Sequence, residues 1–92
     1  MNIDLTIEGL KELWDKQEGK CAVTGVQMSL ERGNDPYQLS LDRIDNSRGY
    51  ALDNVRWVCY IYNIARGQFS DQQVLKFIRE ANEKQQPTNR QA

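Results

Sequence analysis

The order of hydrophobic and polar residues predicts a helix near the start of the chain. The segment TIEGLKELWDKQEGK, residues 6–20, repeats its apolar positions at helical spacing, which places them on one face. These positions are Ile7, Leu10, Leu13 and Trp14. Thr6 is a suitable N-cap and Gly19 a suitable end. We expect this amphipathic helix to pack its apolar stripe against the rest of the domain.

A second helix is predicted near the end of the chain. Ser70 and Gln73 have the spacing of a capping box, and Phe69 with Val74 has the spacing of a hydrophobic staple. The predicted core stripe that follows is Val74, Leu75, Phe77, Ile78 and Ala81. Residues 85–92 form a polar C-terminal tail, which leaves residues 1–84 as a single domain.

The middle of the chain has the pattern of a hairpin followed by a short helix. YQLSLDRI predicts a strand at 38–44, and VRWVC alternates as a second strand at 55–59. Between them lies a loop in which Gly49 is the expected left-handed residue. The run CYIYNIARG has the length of about two helical turns and closes at Gly67. The predicted fold class is α+β, with a short antiparallel hairpin and flanking helices.

Composition limits the possible functions. The chain has 92 residues, 39% of them hydrophobic, and a formal net charge of -1. Its pI of about 5.3 is unlike that of bulk basic nucleic-acid binders, although a local basic face stays possible. No apolar run is long enough for a membrane span, and the first residues lack a secretory pattern. Two cysteines fit a reduced cytosolic compartment.

Five short motifs in a fixed order carry a family resemblance. They are CAVTG (21–25), LDRID (41–45), RGY (48–50), DNVRWVC (53–59) and YN (62–63). In this order the chain resembles the HNH (His-Me finger, ββα-metal) endonucleases, especially small phage-encoded ones, over about residues 8–80. The resemblance implies a hairpin-plus-helix core and metal-dependent hydrolysis of DNA. It also implies Mg²⁺ or Mn²⁺ as cofactor and double-stranded DNA as partner.

The resemblance assigns roles position by position. Asp42 matches a metal-binding acid on the first strand, and Asn63 matches the second metal ligand on the short helix. Asn54 matches the residue that holds the loop against the helix by hydrogen bonds. The hard oxygen atoms of an aspartate and an asparagine suit Mg²⁺ or Mn²⁺. Taken from the residues alone, Asp42 could instead pair with Arg43 or Arg56, and Asn63 could be a satisfied helix-face amide.

The chain departs from the family at the catalytic base. It contains no histidine, and Arg43 stands at that position. Arginine has no acceptor lone pair and stays protonated, so it cannot take a proton from water. It could bind the scissile phosphate through two hydrogen bonds. Asp45 is then the nearest candidate base, with Tyr50 a weaker one.

A local basic face is the candidate DNA contact. Its members are Arg43, Arg48, Arg56 and Arg66, with Lys76 nearby. Neutralising phosphates with such residues would make DNA affinity fall as salt rises. Ordinary solvated surface charge is the alternative interpretation.

The cysteines depart from the zinc-bearing relatives, which use two C-x-x-C pairs. Here the pairs read Cys21 with Thr24 and Cys59 with Tyr62, so each has lost a thiol. Two thiolates without histidine cannot close a tetrahedral zinc site. We therefore expect no structural zinc. We expect Cys21, Cys59 and Tyr62 to form an apolar cluster, with the two cysteines near each other and reduced.

Three functional hypotheses follow. The first is a divalent-metal-dependent HNH endonuclease that nicks or cleaves DNA. The second is a catalytically degenerate HNH fold that binds DNA, or a phage or host protein, without cutting. The third is an inhibitor or adaptor that binds a protein through its acidic surface. The missing histidine favours the second, whereas the retained Asp42, Asn54 and Asn63 favour the first. The expected location is the cytoplasm, that of the host if the chain is phage-encoded.

Overall fold

The chain contains four short strands and three α-helices among its described residues, and they form the α+β class predicted. The computed structural model describes residues 3–31, 33 and 35–85. The elements are β1 (Ile3–Asp4), α1 (Ile7–Gln17), β2 (Leu39–Arg43), β3 (Tyr50–Ala51), a 3₁₀ turn (Leu52–Asn54), β4 (Val55–Cys59), α2 (Tyr60–Arg66) and α3 (Asp71–Gln85). Within these described residues, no helix has both the length and the apolar character needed to cross a membrane.

The predicted hairpin is confirmed. Strands β2 and β4 pair antiparallel, from Leu39 opposite Cys59 to Arg43 opposite Val55. This register places Asp42 directly across from Arg56. A parallel pairing of β1 with β3 was not predicted, because two-residue strands carry no periodicity that a sequence pattern can detect.

The core lies where the hairpin meets the helices. Its buried side chains are Cys21, Met28, Val58, Cys59, Tyr62 and Val74, and Trp14, Val23, Leu39 and Trp57 pack against them. The prediction that the two cysteines and Tyr62 share one apolar cluster is confirmed, and both thiols are free. Helix α2 follows β4 without a loop, so its position is set by the end of that strand.

The predicted caps at Thr6, Gly67 and Ser70 are confirmed, whereas the end predicted at Gly19 is wrong by one residue, because α1 ends at Gln17 and its left-handed cap is Glu18, with a φ of 56°. Thr6 Oγ1 accepts a hydrogen bond from the Gly9 amide at 3.0 Å, and Gly67 ends α2 with a φ of 50°. At α3 the capping box is complete: the Ser70 amide donates to Gln73 Oε1 at 2.9 Å, and the Gln73 amide donates to Ser70 Oγ at 3.1 Å. These local signals are reliable because each is made within one helical turn.

The apolar stripes of α1 and α3 were predicted to be buried, and this prediction is wrong in part. Ile7 and Phe77 are each 70% exposed, and Ile78 is also exposed. On α3 only Val74 is buried. Periodicity shows which residues share a face of a helix, but it does not show whether another element covers that face. Gln85, assigned to the tail, is the last residue of α3, and residues 86–92 lie outside the described part.

The assignment of a left-handed conformation to Gly49 is wrong. Glu18 and the glycines at 19, 25, 33 and 67 have positive φ among the described residues, and Gly49 does not. The loop bends by another device, since Asp45 Oδ1 accepts hydrogen bonds from the amide and the hydroxyl of Ser47. Such a side-chain turn requires no glycine.

The side chain of Gln17 on α1 forms hydrogen bonds with the outer edge of strand β4. The Trp57 amide donates to Gln17 Oε1 at 2.9 Å, and Gln17 Nε2 donates to the Trp57 carbonyl at 2.8 Å and the Lys20 carbonyl at 2.7 Å. The amide side chain thus takes the place of a neighbouring strand for β4. Sequence analysis gave no sign of this contact, which joins residues 40 positions apart.

We predict that Gln17→Ala destabilises the domain by about 1–3 kcal/mol, because it leaves the amide of the half-buried Trp57 without a partner, whereas the Trp57 carbonyl still accepts the Ala22 amide at 3.0 Å. Lys16→Ala, one residue away on the exposed side of α1, is the matched control. Urea unfolding followed by tryptophan fluorescence measures both. Equal free energies of unfolding for the two variants would contradict the role assigned to Gln17.

Candidate functional site

The predicted metal ligand Asp42 lies inside an ion-pair network. Its residue is only 4% exposed, near the end of β2. Asp42 Oδ2 accepts a hydrogen bond from Arg56 Nε at 2.9 Å, and Asp42 Oδ1 accepts one from Arg66 Nη1 at 3.0 Å. Arg56 comes from the facing strand β4 and Arg66 from the last turn of α2. Both carboxylate oxygens are therefore bound by guanidinium groups.

A second acid completes the network from the first turn of α3. Asp71 accepts two hydrogen bonds from Arg56, Nη1 to Oδ2 and Nη2 to Oδ1, each at 2.9 Å. Its Oδ1 also accepts the Tyr62 hydroxyl at 2.6 Å and lies 3.4 Å from Arg66 Nε. We call Asp42, Arg56, Arg66 and Asp71 the buried ion cluster. Two acids and two arginines make its formal charge zero.

Hydrogen bonding sets the protonation states in this cluster. Hydrogen bonds from Arg56 hold the pKa of Asp71 below its usual value, despite partial burial. Burial works to lower the pKa of Arg56, but its bonds to Asp71 and Asp42 outweigh burial and raise it. Burial, and then the bond to Asp71, raises the pKa of Tyr62. At neutral pH, Asp71 and Arg56 are therefore charged and Tyr62 is a neutral donor.

Arg43, which the resemblance sets at the position of a catalytic histidine, points to the loop. Its Nη1 donates to the carbonyls of Asn46 at 3.3 Å and Arg48 at 3.1 Å, and its guanidinium lies 5.2 Å from the centre of the Tyr50 ring. Adjacent residues of a strand face opposite sides, so Arg43 and the buried Asp42 are directed apart. Arg43 therefore stabilises the loop through these contacts.

Asn54 closes the same loop. It is almost fully buried; its Oδ1 accepts the Asp45 amide at 2.9 Å, and its Nδ2 donates to the carbonyls of Asp45 at 3.1 Å and Gly49 at 2.9 Å. These bonds tie the loop to itself, whereas the resemblance implied a bond to the helix. Asp45 is exposed, and hydrogen bonds from Ser47 lower the pKa of its carboxyl. A lowered pKa makes Asp45 a weaker base.

Asn63 connects α2 to β2. Its Nδ2 donates to Ser40 Oγ at 2.8 Å and lies 3.4 Å from the Leu41 carbonyl, beside Asp42 in the chain. Asn63 thus reaches the strand that carries the predicted metal-binding acid. The alternative considered from the sequence, a helix-face amide with its hydrogen bonds satisfied, is therefore correct for Nδ2 of Asn63.

The residues present do not fit the Mg²⁺ or Mn²⁺ that the resemblance implies. Such an ion needs several oxygen ligands, but both oxygens of Asp42 already accept hydrogen bonds from cations. Two guanidinium groups beside the acid would also repel a divalent cation. Across residues 3–31, 33 and 35–85, no group of three or more histidine, cysteine, aspartate or glutamate side chains could hold a metal.

The cysteine pair lies on the other side of Tyr62. Burial, and then the neighbouring Cys21, raises the pKa of Cys59 to about 11. Burial works to raise the pKa of Cys21, but hydrogen bonds with Thr24 and nearby backbone groups outweigh it and lower the value. Thr24 and Tyr62 stand where the zinc-bearing proteins that the chain resembles have further thiols, and both are engaged, Thr24 with Cys21 and Tyr62 with Asp71.

Asp71 was missed by sequence analysis. It follows the N-cap Ser70, and an acid in the first turn of a helix is ordinarily explained by the helix dipole. The short connection between α2 and α3 was the available signal, because it returns the start of α3 to the end of α2, where Arg66 lies.

No protein-family model matches the chain, and no curated protein or solved structure shows significant similarity to it. A functional assignment must therefore rest on the chain's own residues and their geometry.

We predict that Asp42→Asn lowers the free energy of unfolding by about 3–5 kcal/mol, because Asp71 alone then has to balance the two guanidinium groups of Arg56 and Arg66, and the cluster keeps an uncompensated positive charge. Asp53→Asn is the control: Asp53 pairs with Arg48 at 2.8 Å on the exposed surface, and its loss should cost under about 1 kcal/mol. Urea unfolding measures both variants. A stability gain in Asp42→Asn would contradict the prediction and indicate an acid kept for catalysis at a cost to folding.

Proposed function

We propose that this chain is a catalytically degenerate HNH-like domain that binds a protein partner and does not cut nucleic acid. The observation that carries the proposal is the double engagement of Asp42 by Arg56 and Arg66. Each oxygen of Asp42 keeps a second lone pair, but a divalent ion bound there would lie against two guanidinium groups in a buried site, and relieving that repulsion requires breaking a buried ion pair. The cost of such a break is several kcal/mol.

The candidate general bases also support the proposal that the domain does not cleave nucleic acid, because none of them suits the role. Arg43 cannot accept a proton. Asp45 could, but its pKa is depressed and its Oδ1 is engaged by Ser47. The chain contains no histidine to replace them.

The arginines predicted to contact DNA already form ion pairs or hydrogen bonds within the chain. Arg56 and Arg66 belong to the buried ion cluster, Arg48 pairs with Asp53, and Arg43 binds loop carbonyls. DNA affinity depends on basic groups that neutralise phosphates, and here the formal net charge is -1. A protein partner is therefore favoured over DNA.

An exposed apolar surface supplies the contact that a protein partner needs. It joins the outer side of α2 to α3, and we call it the α2–α3 apolar face. Its residues are Ala65, Phe69, Phe77 and Ile78. Contiguous exposed apolar surface of this kind marks protein interaction sites.

Metal-dependent DNA cleavage is the rival function. It is favoured by one observation: the hairpin and α2 keep Asp42 and Asn63 on adjoining elements, with Asn63 Nδ2 bound at Ser40. Cleavage would require Asp42 to leave both of its arginines.

We predict that the purified protein neither nicks nor linearises supercoiled plasmid with Mg²⁺ or Mn²⁺, because Asp42 is not available to a metal. Wild type is compared with Asn63→Ala, and a gel shift at low salt on the same DNA should show no complex. Metal-dependent product that disappears in Asn63→Ala would overturn the proposal in favour of the nuclease. A complex without cleavage would replace the protein partner by DNA.

A further inference from the structure

Two thiols of the core have no part in the proposed function. Cys21 and Cys59 are the two cysteines of the chain, each is 3% exposed, and both are free. They lie in one apolar cluster, and their side chains hydrogen-bond to each other. A pair of thiols in contact has chemistry that a single thiol lacks, because one can react with an oxidant and the other can then resolve the product as a disulfide.

The backbone holds the two thiols together. Cys21 begins a tight turn, in which its carbonyl accepts the Gly25 amide at 2.9 Å. The turn is fixed to β4 by the Ala22 amide, which donates to the Trp57 carbonyl at 3.0 Å. Cys59 is the last residue of the same strand and the N-cap of α2. The contact between the thiols therefore follows from backbone hydrogen bonds on both sides of it.

The surroundings of the two sulfur atoms differ. The Cys21 sulfur accepts hydrogen bonds from the Thr24 hydroxyl and from backbone amides, those of Val23, Thr24 and Cys59. The Thr24 hydroxyl oxygen accepts the Val26 amide at 3.3 Å, which leaves the hydroxyl proton available to Cys21. Amides that converge on one atom stabilise an anion there.

These contacts divide the roles between the two thiols. Burial acts to raise the pKa of Cys21, but the hydrogen bonds outweigh burial and lower it. Burial, and then the neighbouring Cys21, raises the pKa of Cys59 to about 11. The thiolate is the nucleophilic form of cysteine. Cys21 is therefore the nucleophile of the pair, and Cys59 keeps its proton.

The burial of the pair limits which oxidant can reach it. Cys59 and Thr24 line a surface groove of about 270 Å³, which leads from solvent to the pair. With each cysteine only 3% exposed, the sulfur atoms of a bulky peptide disulfide cannot reach them. Hydrogen peroxide is close to the size of water. The geometry therefore favours a small hydroperoxide as the reactant.

We propose that Cys21 and Cys59 reduce a small hydroperoxide and close as an intramolecular disulfide, an activity that is additional to the proposed function and independent of it. The Cys21 thiolate sulfur attacks one peroxide oxygen and the O–O bond breaks. The leaving hydroxide takes a proton from solvent and departs as water, and Cys21 becomes a sulfenic acid. The Cys59 sulfur then attacks the Cys21 sulfur and the S–O bond breaks. The hydroxide released takes the Cys59 proton as a second water, so two electrons pass from the sulfur atoms to the peroxide.

Mass spectrometry of the full-length protein treated with hydrogen peroxide tests the proposal. The expected product is a monomer lighter by about 2 Da, the two hydrogen atoms lost, with peptide mapping that joins Cys21 to Cys59. A thiol reductant should restore the original mass. Retention of both thiols at a peroxide concentration that oxidises the same chain in urea, or a disulfide between chains, would overturn the proposal. This experiment needs no substitution, so it does not depend on the folding of a variant.

Variants test the two roles. Cys59→Ser should stop at a sulfenic acid on Cys21, which dimedone traps, whereas Cys21→Ser should leave Cys59 unmodified under the same conditions. A sulfenic acid that forms on Cys59 and not on Cys21 would overturn the assignment.

Thr24 is the positioning residue of the pair. Thr24→Val keeps the shape of an exposed side chain but removes one hydrogen bond from a thiolate, which lowers the thiolate fraction of Cys21 about tenfold. The reaction at neutral pH should slow by about the same factor, and its pH profile should move to higher pH. Thr24→Ser keeps the hydroxyl and should react like the wild type. An unchanged rate and pH profile in Thr24→Val would contradict this role.

Urea unfolding of the oxidised protein tests whether the pair is placed for closure. The disulfide would join the turn at Cys21 to the end of β4 and constrain the unfolded chain, so the urea midpoint should rise and return on reduction. An unchanged or lower midpoint would mean that the native fold is strained by the bond and would contradict the proposed closure.

Discussion

The structure depends on a carboxylate held between two guanidinium groups. Asp42 is buried, and a buried charge is tolerated only when its partners replace the lost water. Those partners come from β4 and α2, and Asp71 extends the contact to α3. The ion pairs thus connect β2, β4, α2 and α3 at one place in the fold. Arg66 Nε is buried without a hydrogen-bond partner among the described residues, so even this network leaves one donor unsatisfied.

The same network is the basis of our proposal that this domain does not catalyse cleavage. An active metal centre needs acids whose oxygen atoms point toward the ion and water. In the buried ion cluster those oxygens point to arginines, and the cluster is neutral without a cation. Tyr62 joins it to the apolar core, since the ring packs with the cysteines while the hydroxyl binds Asp71. Asp42, which resembles a metal ligand in sequence, is thus part of the ion-pair network that connects the hairpin to α2 and α3.

Interactions between residues close together in the chain could be predicted from the sequence, whereas interactions between distant residues mostly could not. Capping at Thr6 and Ser70 involves residues within one turn, and the strands follow from short alternation, so these predictions are confirmed. The pairing of Asp42 with Arg56 was one of the open alternatives, and the hairpin register selects it. The contribution of Asp71 was missed, because the return of α3 to the hairpin leaves no periodic signal and only the short connection after α2 indicates it. The exposure of Phe77 was missed for a related reason, since a stripe does not identify what covers it.

The most direct test of this account is a crystal of the protein soaked in MnCl₂ and measured for anomalous scattering from manganese. The account predicts no manganese beside Asp42, with both of its oxygens still bound to Arg56 and Arg66. Anomalous density within coordination distance of Asp42 and Asn63, with Arg66 displaced, would contradict it. The buried ion cluster would then be a resting state of a metal centre, and the nuclease would become the better description.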